Sequence, residues 1–371
     1  MENKKISIII PVFNGEKYIK ETLSRILSSI EQNLEVVIVD DGSTDHSPLI
    51  CSEIAEKDPR VFLYRKINEG IVSARNYGIE KSSGSYICFC DQDDIVFPFT
   101  YSEMKKKLAS NNADICICST GRWIDNKIVP YEVLKNEVYT KESIKTNLIY
   151  PLLLNGYRLP QHSDTTYIYP HIWKCMIKKE ILDTNHLKFK RFINYEDDLI
   201  MLFDILCYSK NVVTISEILY CWRLNYSSES YKKSYISNLE KKQEQLLDYF
   251  VQKLKKLPTE AVILEFYQKG QICRFYLDRI SNELSPYSPN TFIQKVSYLK
   301  KSIFTADSKS ILKLRHYLKP GQYKAKVGLY LLSRKQLILS YIFLKLYEQI
   351  VYWGLKIPLL SRIERKLKHI T

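Results

Sequence analysis

No uncharged apolar run in this 371-residue chain reaches the roughly 18 residues that a membrane-spanning helix needs. The longest such run near the end, QLILSYIFL, is far too short, so the sequence predicts a soluble or peripheral protein. The start, MENKK, has no apolar stretch behind its basic residues, and the nine cysteines form no CxxC pair. These absences argue against secretion, a disulfide framework and a zinc knuckle together. A cytoplasmic protein is expected, at most peripheral on the inner face of the cytoplasmic membrane. Cys88 and Cys90, like Cys116 and Cys118, recur at period two within apolar runs, the pattern of one face of a buried strand. Glycine is scarce at 11 residues, and no phosphate-cradling Gly-rich loop, Ser-His-Asp order, internal repeat or low-complexity segment occurs.

What is present is ordinary globular composition, 45% hydrophobic and 26% charged, at a length that suits about two domains. The net charge of +14 is less ordinary and is unevenly placed. From Gly321 to Thr371 there are ten Lys or Arg against two Glu. Such a tail can meet nucleic acid, anionic lipid or an anionic substrate, or form a solvated helical face. Within it Leu329, Leu332, Leu339, Ile342, Phe343, Leu346 and Ile350 make an apolar stripe bordered by Lys335, Lys345 and Lys356, with Tyr352 and Trp353 nearby. A basic amphipathic helix of this kind suits an anionic bilayer surface. A helical subdomain packed on the enzyme or on a second copy of the chain explains the pattern equally well.

The first half alternates strand and helix. ISIIIPVF (Ile6 to Phe13) is a continuous β-branched run, as in a strand covered on both faces, and a helix follows from about Glu16 to Ile30. LEVVIVD, VFLYRK, SYICFCD and ADICICS read as further strands, with helices between them and Ser47-Pro48 as a cap-and-proline helix start. Strands spaced by helices imply parallel βαβ units, whose ligands sit beyond the carboxyl ends of the strands. After about residue 130 come a loop rich in Tyr, His and Pro (Tyr157 to Pro170), then IWKCMIKKEIL, NYEDDLIMLFDIL, a short strand NVVTI, and EILYCWR. From about Ser227 the chain is mostly helical and basic. The expected division is an α/β domain over 1–225 and a helical region over 226–371.

Polar residues cluster at the expected strand ends: Phe13-Asn14-Gly15, Asp40-Asp41-Gly42 and Asp91-Gln92-Asp93-Asp94. At a strand end, residues 91 and 93 lean to the same side, so two carboxylates can face one hard cation. Magnesium or manganese prefers such oxygen ligands, completed by water and phosphate oxygens. A solvated acidic turn that caps the helix after Pro98 is the plainer reading of Asp-x-Asp alone.

PVFNGEKYI, VDDGSTD, NEGIVSARNYGI and CDQDD occur in that order, each at a strand end or helix start. As a set, with YEDDL and LYCWRLNYSSES downstream, they resemble the family 2 glycosyltransferases, inverting enzymes of the GT-A fold. The resemblance spans about residues 4 to 230. It implies a Rossmann-like, mostly parallel central sheet flanked by helices, a nucleotide-sugar donor (UDP-sugar first), Mn²⁺ or Mg²⁺, and a glycan or lipid-linked acceptor.

Carried over residue by residue, the resemblance makes Pro11 and Phe13 the border of the base and ribose. Asp41 would accept the uracil ring N–H, Asp40 being the less favoured choice, and helix capping is their structural reading. Asn68 and Arg75 would lie near the nucleotide and diphosphate. Asp91 would hold the ribose or reach the metal through water, and Asp93 would bind the metal directly. Arg223, with Ser227, would close over the diphosphate. In YEDDL the resemblance points to Asp197 as general base; Asp198 stands where an apolar residue commonly follows and is the alternative one position on. Trp173 is a candidate wall of the acceptor site, His171 a candidate metal ligand, and Trp222 in YCWR stands where tyrosine is usual. An acidic strand-end rim repels phosphates unless a cation intervenes, which weighs against a polyanion-binding protein and against nucleic acid as partner. A nucleotidyltransferase would carry a glycine-rich loop where PVFNGEKY has one glycine. The abundance of Tyr, Ile and Lys suggests an AT-rich microbial genome, and a role in surface or capsular polysaccharide synthesis is the expectation at that level.

Overall fold

The computed structural model describes residues 4–154, 168–193, 196–225, 234–303, 311, 313–317 and 323–352. Two compact units divide the chain, Met1–Leu152 with Thr165–Tyr231, and Leu153–Asp164 with Lys232–Thr371.

In the first unit, β1 (Ile6–Val12), β2 (Leu34–Asp40), β3 (Val61–Arg65) and β4 (Tyr86–Phe89) pair in parallel in the order β3-β2-β1-β4. β1 and β2 are buried along their whole length, so neither needs an alternating sequence. Near the start of β2, Glu35 is matched by Ser7 of β1 at 2.6 Å and by Lys5 at 2.5 Å. Helices α1 (Ile19–Leu27), α2 (Ser47–Lys57) and α3 (Ile71–Lys81) link these strands. Gly78 lets α3 lie close on the sheet: a Cβ there would stand 2.3 Å from Ile9 Cγ2. Ser47 does not cap α2 as its sequence suggests. It is the first helical residue, its Oγ accepts the Gly15 N–H at 2.8 Å, and Asp45 accepts the Ser47 N–H at 2.9 Å. The serine is thereby spent on tying the β1 loop to α2.

Beyond β4 the chain forms β5 (Ile95–Val96), α4 (Thr100–Ser110), β6 (Ile115–Ile124), β7 (Lys127–Glu132) and β8 (Glu137–Thr140). Short helices α5 (Lys141–Ile144) and α6 (Tyr150–Leu153) flank a π-helical turn, and then come β9 (Cys175–Lys178), α7 (Lys179–Thr184), α8 (Asp197–Tyr208) and β10 (Asn211–Arg223). The sheet continues β4-β9-β6-β10-β5, with β7 on β6 and β8 on β10. β9 runs antiparallel to both of its neighbours, while β6 and β10 are parallel. The sequence suggests two pieces, NVVTI and EILYCWR, where the structure has the single strand β10. Its register against β6 shifts between Ile215 and Ile218 and again before Tyr220, so the half-exposed Ser216 and exposed Glu217 sit in an irregularity and break the apolar pattern. β7 was not foreseen either: it is an edge hairpin strand with exposed Ile128 and Val129 and a proline at 130, a combination that reads as loop.

The second unit is helical: α9 (Leu239–Lys256), α10 (Ala261–Glu283), α11 (Phe292–Ile303), α12 (Tyr323–Ser333) and α13 (Leu337–Tyr352). Phe250, Leu254, Tyr267, Ile280, Leu299 and Ile303 are buried in it. The apolar stripe expected along the tail is split by the break at Arg334-Lys335, where Lys335 has φ of 58°. Leu329 and Leu332 on α12 are fully buried, whereas Ile338, Leu339, Ile342 and Leu346 on α13 are 45–52% exposed. Among the described residues no helix is long and apolar enough to cross a membrane.

Candidate active site

The loops after β1, β2 and β4 meet at one rim. Phe13, just past β1, is 43% exposed, and Pro11 inside the strand is buried. Gln92 holds the Phe13 backbone from both sides: the Phe13 N–H donates to Gln92 Oε1 at 3.0 Å, and Gln92 Nε2 donates to the Phe13 carbonyl at 3.1 Å. The Asn14 N–H donates to Ser43 Oγ at 3.0 Å, lacing this loop to the one after β2. In that second loop Gly42 adopts φ of +76°, and a Cβ there would meet the Asn68 backbone nitrogen at 2.9 Å. Glycine is required by both conformation and space. Asn68 itself is exposed beside this turn.

The two aspartates of the turn have separate partners. Asp40 accepts the Ser43 N–H at 3.1 Å and pairs with Arg65 at 3.0 Å. Buried Asp41 accepts from Lys66 Nζ at 2.8 Å and from the backbone N–H groups of Glu69 and Gly70 at 3.1 and 2.7 Å, at the start of α3. Three of roughly four carboxylate lone-pair sites are used, leaving one for a ligand donor.

The turn after β4 is held from two sides. Thr22 of α1 donates to the carbonyls of Gln92 and Asp94, each at 3.0 Å. From β10 the Tyr220 hydroxyl donates to Asp94 Oδ2 at 2.7 Å and accepts the Asp91 N–H at 3.1 Å. The Arg223 N–H donates to Asp94 Oδ1 at 2.9 Å, and its guanidinium reaches the Asp93 carbonyl at 3.0 Å and Glu21 at 2.7 Å. Burial pushes the Asp94 carboxyl well above the usual range, and the charges of Asp91 and Asp93 push further. Asp94 is therefore structural, the anchor of the turn. Asp93 is different: Oδ2 accepts from Asn225 at 2.7 Å, and the carboxylate has no ion-pair partner among the described residues. Tyr220→Phe removes one partner from each of Asp91 N–H and Asp94, and we expect a loss of about 1–3 kcal/mol in urea unfolding.

Opposite Asp91 stands Arg75 of α3, 4% exposed at its side chain. Its Nη1 donates to Asp197 Oδ2 at 3.0 Å and Asp198 Oδ1 at 2.6 Å, and its Nη2 to Asp91 Oδ1 at 3.3 Å. One guanidinium thus joins the end of β4 to the first turn of α8. Burial works against this cation, but Asp198, Asp91 and Asp197 outweigh it and hold the proton more firmly than in an ordinary arginine. The next residue, Asn76, grips the Phe189 backbone in both directions, donating at 3.1 Å and accepting at 2.8 Å, which fixes the segment leading into α8. Arg191 adds a second guanidinium to Asp197 Oδ1, at 3.1 Å from Nη2 and 3.3 Å from Nε. Asp198 Oδ2 accepts the Ile172 N–H at 3.2 Å. Burial raises the Asp198 carboxyl to about 6, with Arg75 opposing and Asp197 and Asp91 reinforcing the rise. Loss of water likewise raises Asp91, which Arg75 pulls back and Asp93 pushes again.

An aromatic column borders this centre. Tyr220 stacks on Trp173 at 4.3 Å, Trp173 on His171 at 4.8 Å, His171 on Tyr169 at 5.9 Å, and Tyr169 on Tyr131 at 4.9 Å. Burial, aided by Lys174 and Arg75, depresses His171 to about 3, so the ring in this column is neutral. Trp222 lies edge-on to Tyr131 at 5.6 Å, with Arg122 over its face at 5.2 Å. Beneath the column a fully buried pair, Lys174 with Glu132 at 2.5 Å, also takes up the Tyr169 N–H at 2.8 Å.

The structure therefore gathers Asp91, Arg75 and Asp197, with Asp198, into one cluster. Asp93 lies on the adjoining turn, Arg223 at the end of β10 is bonded to that turn, and Pro11, Phe13, Asp41 and Asn68 belong to the strand and loops of the same rim. Ser227, Tyr195, residues 157–167, Trp353 and Lys356 lie outside the described residues. Gln92, Tyr220, Asn76, Arg191 and Lys174 were not singled out from the sequence; each acts through a tertiary contact that no local spacing announces. Asp93, whose carboxylate has no ion-pair partner among the described residues, could hold a hard dication, aided by Asp91. No group of three or more His, Cys, Asp or Glu converges as a shell among the described residues. The remaining oxygens would then come from water and phosphate, as magnesium sites commonly arrange.

Comparison with known proteins agrees with this geometry. Residues 7–167 match the model described as Glycosyl transferase family 2. The chain is 26% identical over 250 residues to the "Uncharacterized glycosyltransferase EpsJ" of Bacillus subtilis (strain 168), covering 66% of this chain and 69% of that one. It is 39% identical over 113 residues to "Glycosyltransferase GlyA" of Streptococcus pneumoniae, covering 30% of this chain but only 16% of the relative. Among solved structures, S. aureus TarS in complex with UDP-GlcNAc is similar with a TM-score of 0.62 at 18% identity, over 93% of this chain and 92% of that one. That likeness shows the GT-A fold, a mostly parallel sheet flanked by helices with a helical C-terminal region. Residues 7–167 thus form a stretch that matches glycosyltransferase family 2, and the fold around it is similar to that of the solved TarS structure.

Proposed function

We propose that the protein is an inverting, metal-dependent hexosyltransferase that moves a sugar from a uridine-diphosphate donor to a hydroxyl of a glycan or lipid-linked acceptor. The observation that carries this reading is the shared guanidinium: Arg75 binds Asp91 of the donor rim and Asp197 of α8 together. Solved TarS complexes with UDP and UDP-GlcNAc support the choice of donor. Phe13 offers an open aromatic face to the base, with Pro11 behind it, and Asp41 keeps an acceptor site for the ring N–H. Asn68 and Arg223 flank the diphosphate, and Asp91 holds the ribose. Asp93 would hold Mn²⁺ or Mg²⁺, which when bound would neutralise the charge that builds on the leaving diphosphate. Asp197 takes the proton from the acceptor hydroxyl. Three donors occupy its two oxygens, which leaves a lone pair for that proton. Attack from the face opposite the diphosphate inverts the anomeric carbon, so an α-linked donor gives a β product. Trp173 walls the acceptor side, and the role we favour is surface or capsular polysaccharide synthesis.

A hydrolysis screen across nucleotide-sugars with Mn²⁺, Mg²⁺ or chelator tests the assignment. Cleavage of a UDP-sugar that needs the metal, and that falls sharply in Asp93→Ala and Asp197→Ala, is the expected result. Undiminished cleavage by both variants would place the chemistry elsewhere.

We further propose that the outward face of α13 rests on an anionic membrane surface, with Ile338, Leu339, Ile342 and Leu346 inserted among lipids and Lys345 near the headgroups. Full-length protein should sediment with anionic liposomes and remain in solution with zwitterionic ones. Equal sedimentation of the full chain and a 1–320 truncation would instead favour a contact between two copies of the chain or packing within one.

A further inference from the structure

A cleft of about 720 Å³ opens in the helical unit between the start of α9, the end of α10 and α11. Its volume is in the range of small-ligand sites, and none of its walls comes from the catalytic rim. We propose that this cleft is a second, non-catalytic site that binds a neutral, hydroxyl-rich oligosaccharide.

The chemistry of the walls selects the ligand. The charged lining is Glu240, Glu244 and Glu283 against Lys241 and Arg279, one negative charge in excess. That balance disfavours nucleotides, phosphate and anionic lipid headgroups. A metal shell is not formed there among the described residues. Glu283 is 2% exposed yet among the described residues meets only neutral donors, the Tyr235 hydroxyl at 3.0 Å and Asn290 Nδ2 at 2.5 Å. A carboxylate buried without a cation is costly to a bundle that only needs to pack. Its oxygens keep lone pairs that ligand hydroxyls can fill.

The neighbouring groups are fixed in advance. Arg279 donates to Glu240 Oε1 at 2.6 Å and to fully buried Gln243 at 2.8 Å. Tyr298 donates to Glu240 Oε2 at 3.3 Å, and Asn282 pairs with the Ile236 backbone at 2.8 and 2.9 Å. Both lining tyrosines are therefore held by their hydroxyls, leaving ring surface for the C–H face of a pyranose. Carboxylate, amide and guanidinium groups beside tyrosine match a ligand that both donates and accepts hydrogen bonds and carries no charge.

The test uses the full chain and an array of neutral and anionic bacterial oligosaccharides, followed by calorimetry with the strongest neutral binder. We expect neutral oligosaccharides to be retained, with binding weakened at least tenfold in Tyr298→Ala and in the isosteric Glu283→Gln. Hydrolysis of the nucleotide-sugar donor by the same two variants should stay within twofold of the parent, which separates this cleft from the catalytic rim. Circular dichroism melting identifies a variant that fails to fold, and the other then decides. Absence of any neutral binder, a preference for anionic glycans, or unchanged affinity in a folded variant would overturn the proposal. Because binding is read without turnover, it stands or falls apart from the assignment of Asp93 and Asp197.

Discussion

Arg75→Met should destabilise the N-terminal unit by about 3–5 kcal/mol, the cost of removing one partner from a buried ion-pair cluster. The guanidinium is 4% exposed and serves Asp91, Asp197 and Asp198 at once. Without it three carboxylates face one another across the gap between β4 and α8, with Arg191 neutralising only Asp197. The sign of the pH dependence follows from this arrangement. Carboxyls crowded by like charge take up protons more readily, and protonation removes the repulsion, so the deficit of the variant should shrink as pH falls toward about 5. Urea unfolding of parent and variant at neutral and mildly acidic pH measures it. A variant as stable as the parent at neutral pH would mean that solvent, rather than Arg75, balances the cluster.

Asp197→Asn should lower kcat by about 10²–10⁴-fold, the range for loss of a positioned general base. Asparagine keeps the shape and one acceptor for Arg75, so the fold should survive and donor KM should change little. Asp198→Asn distinguishes the two adjacent acids. In the parent, Asp198 titrates at about 6 because burial favours its neutral form. A folded-state value raised in this way contributes stability that is full below the ordinary value and is lost as pH climbs through about 6. The same ionisation completes the negative charge around Asp197, so kcat should fall on the acid side with a midpoint near 6. In Asp198→Asn that midpoint should move to lower pH, while kcat at neutral pH falls far less than in Asp197→Asn. Equal losses in the two variants would transfer the base role to Asp198 or divide it between them.

Much of the rim was legible because its residues follow strand ends in short, ordered motifs, and a parallel sheet delivers such ends to one side. Buried β1 and β2 announce themselves by unbroken apolar runs. The supporting contacts were hidden because they join distant segments. Tyr220 reaches Asp94 across 126 positions, Asn76 reaches Phe189 across 113, and Gln92 reaches Phe13 across 79. A tyrosine at an inward position of a strand looks like core until its hydroxyl's partner is known. Arg191 is a plain basic residue in KRFIN, and only the geometry of α8 gives it a task. β7 is hard to read because an exposed edge needs no buried face, and the tail's apolar stripe gives no sign of the left-handed residue at Lys335 that divides it between two helices.

The reversed polarity of β9 has a result for how such a chain can diversify. Parallel strands present their ends to the rim, but β9 presents its beginning, so His171 to Lys174 arrive there on the way into the sheet rather than out of it. The pairing of Cys175 to Lys178 with β4 and β6 therefore holds Ile168 to Lys174 at the rim from their downstream end. Substitutions at His171 or Trp173 would thus alter the rim while the sheet keeps its registration.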